Sequence, residues 1–237
     1  QQTLFRAGVD ARFGYQRQYF GGETNDAGTG FRGDYAMARI DGGFGQGFTY
    51  SFRHRLYQAH HDYHFWESTD WLNVQWADEH WSAVAGKQIV AIGGYEYDRH
   101  PIDLYFTSEF WNNVSCYAWG VQAGYAFTGR DALSLHICQS PFRRYAGNDS
   151  YAYNLLWRSH HGIWSGLWSA NLMECAPNRY IAYLALGNQL QKGKWTVQFD
   201  LMCRGAEHFF RIEDFNLMGE LAFRANKHLN AFVRSTY

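Results

Sequence analysis

The chain has 237 residues, with 21 Lys and Arg balanced against 22 Asp and Glu and a formal net charge of −1. It lacks the basic stripe or tail that nucleic-acid binding leaves in a sequence. A mean hydropathy of −0.45, with no apolar stretch near the roughly 18 residues of a membrane helix, excludes a helical membrane protein but not a membrane β-barrel, whose strands alternate polar and apolar residues. The length suits one all-β domain over 1–237, with no Pro- or Ser-rich linker dividing it. Its 10 Trp, 17 Tyr and 18 Phe exceed the needs of a two-layer core. Such rings gather in carbohydrate grooves, protein interfaces and membrane boundaries. Cys116, Cys138, Cys175 and Cys203 have no metal-ligand spacing and leave the compartment open.

Taken in chain order, period-2 alternation dominates. Phe5, Ala7, Val9, Ala11, Phe13 and Tyr15 fall on one face of the first run, opposite Arg6, Asp10 and Arg12. Phe48, Tyr50 and Phe52 oppose Arg53 and Arg55, and Leu72, Val74 and Trp76 oppose Asn73 and Gln75. Leu133, Leu135 and Ile137 oppose Ser134 and His136, and Trp195, Val197, Phe199 and Leu201 oppose Gln198 and Asp200. Phe215, Leu217, Leu221 and Phe223 are set against Asn216, Glu220 and Arg224. Runs 114–127, 150–159, 163–173 and 180–190 carry apolar residues on both faces and read as strands by composition. With 4–20, 31–40, 44–56, 71–76, 81–91, 132–140, 195–204, 215–224 and 229–237, the visible runs number about 13 strands, and since single-chain membrane barrels have even counts, about 14 to 16 are expected in the complete protein.

The connections sharpen the picture. Short turns are expected at Asp41-Gly42-Gly43, 77–80, 128–131, 159–162, 191–194 and 225–228, and long ones at 21–30, 57–70, 92–113, 141–149, 174–179 and 205–214. A Greek-key sandwich has no reason to alternate long and short. An antiparallel up-and-down transmembrane β-barrel has tight turns at one rim and long loops at the other. Charges facing a wet interior carry no burial cost there, and Trp71, Trp76, Trp81, Tyr125, Phe127, Trp157, Trp164 and Trp195 lie near strand ends, where girdle rings belong. An odd strand count leaves an unpaired edge; a further strand within 92–113, one false strand, or truncation at the C-terminus would each resolve it, and truncation is the favoured expectation.

The stretch Gly86-Lys87-Gln88-Ile89-Val90-Ala91-Ile92-Gly93-Gly94-Tyr95-Glu96-Tyr97-Asp98, then His100-Pro101-Ile102-Asp103-Leu104-Tyr105, resembles the phosphate-selective porin O/P-type family in the forms found in Bacteroidetes, as does Ile137-Cys138-Gln139-Ser140-Pro141-Phe142. The resemblance covers about a third of the chain. It implies an outer-membrane porin, monomeric or trimeric, of about sixteen strands. It also implies a loop folded into the lumen, here 92–113 with Tyr95, Glu96, Asp98, Arg99 and Asp103, and an anion preference carried by inward basic residues.

By parity the pore-lining residues are Arg6, Arg12, Arg53, Arg55, Arg158, Arg204 and Arg224 with Asp10, Asp200 and Glu220. The basic excess points to a weak, phosphate-like anion preference; the blander reading is that these charges pair across the wall. His60, His61, His64 and Glu67 have some metal-ligand spacing but read better as a His-rich surface loop. Asp98, His100 and Asp103 lack a placed nucleophile, and no catalytic motif stands elsewhere, so no enzyme and no cofactor is expected. The sequence thus points to passive diffusion of small hydrophilic solutes in the outer membrane of a Gram-negative bacterium. Lipid and lipopolysaccharide would be its partners, with a homotrimer or envelope complex as its assembly. The rivals are an exported carbohydrate-binding β-domain and a non-conducting barrel subunit.

Overall fold

The computed structural model describes residues 5–58, 64–99, 107–206, 214–227 and 229–237. Strand accounts for about 70% of the chain and helix for 9%. The order begins with β1 (Phe5–Gln16), a separate small hairpin of β2 (Tyr19–Phe20) and β3 (Glu23–Thr24), then β4 (Gly30–Gly45), β5 (Phe48–Gln58), β6 (Thr69–Ala77) and β7 (Trp81–Ile89). It continues through β8 (Tyr117–Thr128), β9 (Asp131–Gln139), β10 (Tyr151–His161), β11 (Trp164–Ala176), β12 (Arg179–Lys192), β13 (Trp195–Ala206), β14 (Asp214–Arg224) and β15 (Asn230–Thr236). Single-turn helices α1 (Phe65–Ser68), α2 (Tyr95–Asp98), α3 (Glu109–Asn113) and α4 (Arg143–Ala146) sit in the connections.

Among the described residues β1 and β4 to β15 form one 13-stranded antiparallel up-and-down sheet, each strand beside its chain neighbour. Every run expected from the alternation has its strand. The sheet begins at β1, ends at β15 and is not closed. The chain divides into two compact units, Gln1–Val74 and Gln75–Tyr237.

Two connections differ from expectation. The turn after β4 is at Gln46 and Gly47, both with positive φ, not at Asp41-Gly42-Gly43. Gly42 instead pairs with Phe5 and Tyr50 inside the sheet, and the Tyr50 ring lies across it where a Cβ would sit, the known way an aromatic neighbour compensates a strand glycine. The connection 174–179 is not long: Ala176 pairs with Arg179, so Pro177 and Asn178 make the turn, with Asn178 in the left-handed region at φ 61°.

The faces of the second unit are inverted relative to a sheet in water. On β10, Tyr151, Tyr153 and Leu155 are 45%, 43% and 43% exposed while Ala152 and Asn154 between them are fully buried. On β13, Trp195, Val197 and Phe199 are exposed and Gln198 and Asp200 buried. What covers the polar face is the chain after β7. Val90, Ile92, Tyr97, Phe110 and Val114 cluster with Ala118, Cys138, Ala152, Met173, Tyr183, Ala185 and Met202 from β8 to β13. Burying each large apolar side chain contributes about 1.5–3 kcal/mol relative to exposure. This cluster explains the blurred alternation of 114–190: the wall needs apolar residues on its inner face where the segment docks.

Candidate functional site

The site is built where residues 90–99 and 107–116 lie against the buried face of the second unit. Backbone approach comes first. Gly94 N donates to the Leu167 carbonyl at 3.0 Å and Gly93 N to Ser169 Oγ at 2.8 Å. A Cβ on Gly93 would meet Leu167 O at 2.6 Å, and one on Gly187 would meet Gly94 Cα at 2.7 Å, so two backbones touch here because neither carries a side chain. Ala91 N donates to His136 Nδ1 at 3.1 Å, and Asn171 Nδ2 donates to the Ala91 carbonyl at 2.9 Å.

Charge finishes the docking. Arg99 Nη1 and Nη2 each donate to a Glu220 carboxylate oxygen at 2.8 Å, and Nη2 also donates to Gln198 Oε1 at 2.6 Å. Arg234 Nε reaches Glu220 Oε2 at 2.8 Å, and its Nη1 stands 3.8 Å from Glu96 Oε1. Glu96 accepts from Ser108 N at 2.9 Å and Ser108 Oγ at 2.5 Å, while its own N–H donates to Asp200 Oδ2 at 2.8 Å. Ser108 also caps α3 by accepting from Trp111 N. Arg158 Nη2 holds Asp98 Oδ1 at 2.9 Å. Bidentate, charge-assisted bonds of this kind fix orientation as well as contribute energy. Burial pushes the Tyr97 hydroxyl well above its ordinary pKa of 10.0, and it donates to the Ser115 carbonyl at 2.9 Å. Tyr95 is raised as well, mainly by burial.

In the first unit the charges pair within the wall. Arg53 Nε and Arg55 Nη2 bracket Asp70, at 2.8 Å and 2.6 Å, and the Arg53 guanidinium lies 3.7 Å from the Trp71 ring centroid. Arg39 and Ser51 both bond Asp41 at 2.6 Å. Arg12 and Arg32 share Asp34, at 3.2 Å and 2.9 Å.

Of the ten residues placed on the polar face by parity, Arg12, Arg53, Arg55, Arg158, Asp200 and Glu220 enter these networks. Arg204 pairs with Asp214 at 2.9 Å. Arg6, Asp10 and Arg224 are exposed and stand outside the networks described. Tyr95, Glu96, Asp98 and Arg99 come together on the inner face; Asp103 lies outside the described residues, as do His60 and His61. His64 precedes α1 at its N-cap position without a side-chain capping bond, with Glu67 inside the helix, and among the described residues no group of three His, Cys, Asp or Glu could hold a metal. The four cysteines are free thiols.

Parity missed three residues. Arg234 faces Glu220 directly across the β14–β15 ladder; reading the register of 229–237 would have found it. Asp70, within the long connection expected at 57–70, belongs to β6. Trp71, expected among the girdle rings, lies beneath Arg53. Asp200 Oδ1, His136 Nε2 and Gln88 Nε2 are buried with no hydrogen-bond partner among the described residues, a condition tolerated where water reaches the group.

No helix among the described residues is long and apolar enough to cross a membrane. No family model matches the chain, and comparison with curated proteins finds no significant relative.

Proposed function

We propose that the chain is an outer-membrane β-barrel of porin type, through which small hydrophilic solutes diffuse across the envelope of a Gram-negative bacterium. The observation that carries this is the inverted sheet: Leu135, Leu155, Val197 and Leu221 are each more than 40% exposed, while Asn154, Asp200 and Glu220 are buried. In water that arrangement wastes the hydrophobic effect; in hydrocarbon it is favoured, provided the strands close so that every backbone group is paired. Strands such as β7 with 9 residues, β10 with 11 and β13 with 12 match the length needed to cross at a tilt.

At the short-turn end of the second unit, rings gather as Trp81 with Tyr125 and Trp195 with Phe223, with centroids 4.7 and 4.6 Å apart. Trp164 and Trp168 both donate to Asn188 Oδ1, which satisfies indole N–H groups on a face turned to lipid. The resemblance to the phosphate-selective porin O/P-type family supports the same reading, with lipid and lipopolysaccharide as partners and a homotrimer or an envelope complex as the assembly. Residues 90–99 and 107–116 narrow the passage, and because most of the inward arginines are already paired with carboxylates, any anion preference is weak.

The occupied inner face of the second unit favours one alternative, a barrel that conducts nothing and serves within an envelope assembly. Planar-bilayer recording across a salt gradient separates the two. Discrete conductance steps with a reversal potential shifted slightly toward anions are expected; a folded protein without steps means the non-conducting barrel, and a protein that stays dispersed without detergent defeats both. Leu135→Arg tests the lipid face itself, with an expected loss of about 2–4 kcal/mol near the bilayer midplane against a near-neutral effect on a water-facing surface.

A further inference from the structure

We propose that a cavity of about 520 Å³ at the long-connection end of the second unit is a binding site for a neutral pyranose sugar. The proposal deepens the porin reading by naming a solute class, and it rests on that reading only for the direction in which the sugar travels. The cavity lies among α3, α4 and the adjoining ends of β12, β13 and β14, with Phe110, Phe142, Tyr145, Tyr183 and Phe215 in its walls. Phe110 meets Tyr183 edge-on with centroids 5.0 Å apart, and Phe142 lies nearly parallel to Tyr183, 13° between planes. Flat rings suit the C–H face of a pyranose, whose axial hydrogens are apolar.

The polar members suit its hydroxyls. Arg204 Nη2 and Asp214 Oδ2 are 2.9 Å apart, yet their side chains remain 47% and 58% exposed. Arg204 also bonds the Tyr183 side chain, so part of its fork of five donors, with carboxylate lone pairs of Asp214, still faces the cavity for a ligand. Each sugar hydroxyl both donates and accepts, so an adjacent donor and acceptor fixed to one another is the geometry it uses best. Asn113, through Nδ2, is already bonded to the Glu109 carbonyl at 2.8 Å, which leaves its Oδ1 as a further acceptor. Charge then selects against anions: Arg204 is outnumbered by Asp214 and Glu109 in the lining. The volume falls within the roughly 300–1,000 Å³ of small-molecule sites, and the mix of apolar walls with a few convergent polar groups is their usual composition.

The test is a titration of the full chain, folded in detergent micelles, with methyl α-glucopyranoside, mannitol and inorganic phosphate, read by calorimetry or ligand-observed NMR. Saturable binding of the glucoside is expected, with none of mannitol, which lacks the flat C–H face, and none of phosphate. Arg204→Ala and Asp214→Ala should each weaken glucoside binding about tenfold, the worth of a hydrogen bond to a charged group. Phe142→Leu should weaken it without unfolding the chain, and Lys194→Ala, remote from the cavity, should leave it unchanged. Folding of each variant is checked by its altered gel mobility before heating. Absence of glucoside binding by the folded protein, binding indifferent to Arg204 and Asp214, or tighter binding of phosphate each overturns the proposal. Because the titration needs no conduction, a conducting protein that fails to bind the glucoside defeats the sugar site alone, and a non-conducting one that binds it defeats only the porin reading.

Discussion

The two compact units handle the same problem differently. Each buries charged residues on one face of a sheet, and an unpaired buried charge is costly. In the first unit the answer lies within the wall: Arg53 and Arg55 from β5 close on Asp70 at the start of β6. In the second unit it is shared with a visitor: Glu220 is held by Arg234 of the neighbouring strand and by Arg99 of the docked segment, and Asp200 by the backbone of Glu96 on that segment. A wall that pairs its own charges is rigid by itself. A wall that borrows some of its partners loses stability when the segment leaves, so in the second unit stability and the width of the proposed passage are coupled.

The largest test of that contrast replaces the central carboxylates. Asp70→Asn should cost about 3–5 kcal/mol, the penalty for breaking a buried pair, because it removes the anion between Arg53 at 2% exposure and Arg55. Glu220→Gln should also destabilise, but the places at which the two variants loosen should differ. Hydrogen exchange should rise along β5 and the start of β6 for Asp70→Asn, and across 95–99 for Glu220→Gln. Equal exchange changes throughout the sheet in both variants would dissolve the distinction between the units.

A smaller effect should follow from the glycine contact. Gly93→Ala places a methyl group 2.6 Å from the Leu167 carbonyl oxygen, and overpacking of this kind costs about 1–3 kcal/mol. The backbones must part, so residues 90–99 should become cleavable by a protease while the aromatic pairs at the strand ends keep their near-ultraviolet signal. If proteolysis of this stretch does not increase, the close approach is not what seats the segment.

The wall was legible in the sequence because alternation is a local property: Phe199 and Asp200 declare their faces without knowledge of any partner. What the sequence concealed were relations across strands. Arg234 gains its meaning only from standing opposite Glu220, and the docked segment leaves no periodic trace of its own, only the disturbance of other strands by Met173, Ala185 and Met202. Glycine misled in one direction and informed in the other. Gly42 marks a ring packed across a strand, not a turn, whereas Gly93 and Gly94 mark contact of backbone with backbone.

The smallest expected effect concerns a carboxylate that uses neither solution. Asp78, in the turn between β6 and β7, accepts from Trp81 N at 2.6 Å and His80 N at 2.8 Å, and these two bonds hold its pKa below the ordinary 3.8. A depressed carboxylate stabilises the folded state above its unfolded pKa, and that contribution fades as pH falls through the folded value. The thermal midpoint of the protein minus that of Asp78→Asn should therefore be positive and constant at neutral pH and should shrink below about pH 3.8. Since the group is fully exposed, the difference should be slight and should occur with the segment docked. A difference that persists unchanged at low pH would mean that the turn depends on the shape of the side chain, and charge at this rim would then be independent of the coupling that governs the second unit's interior.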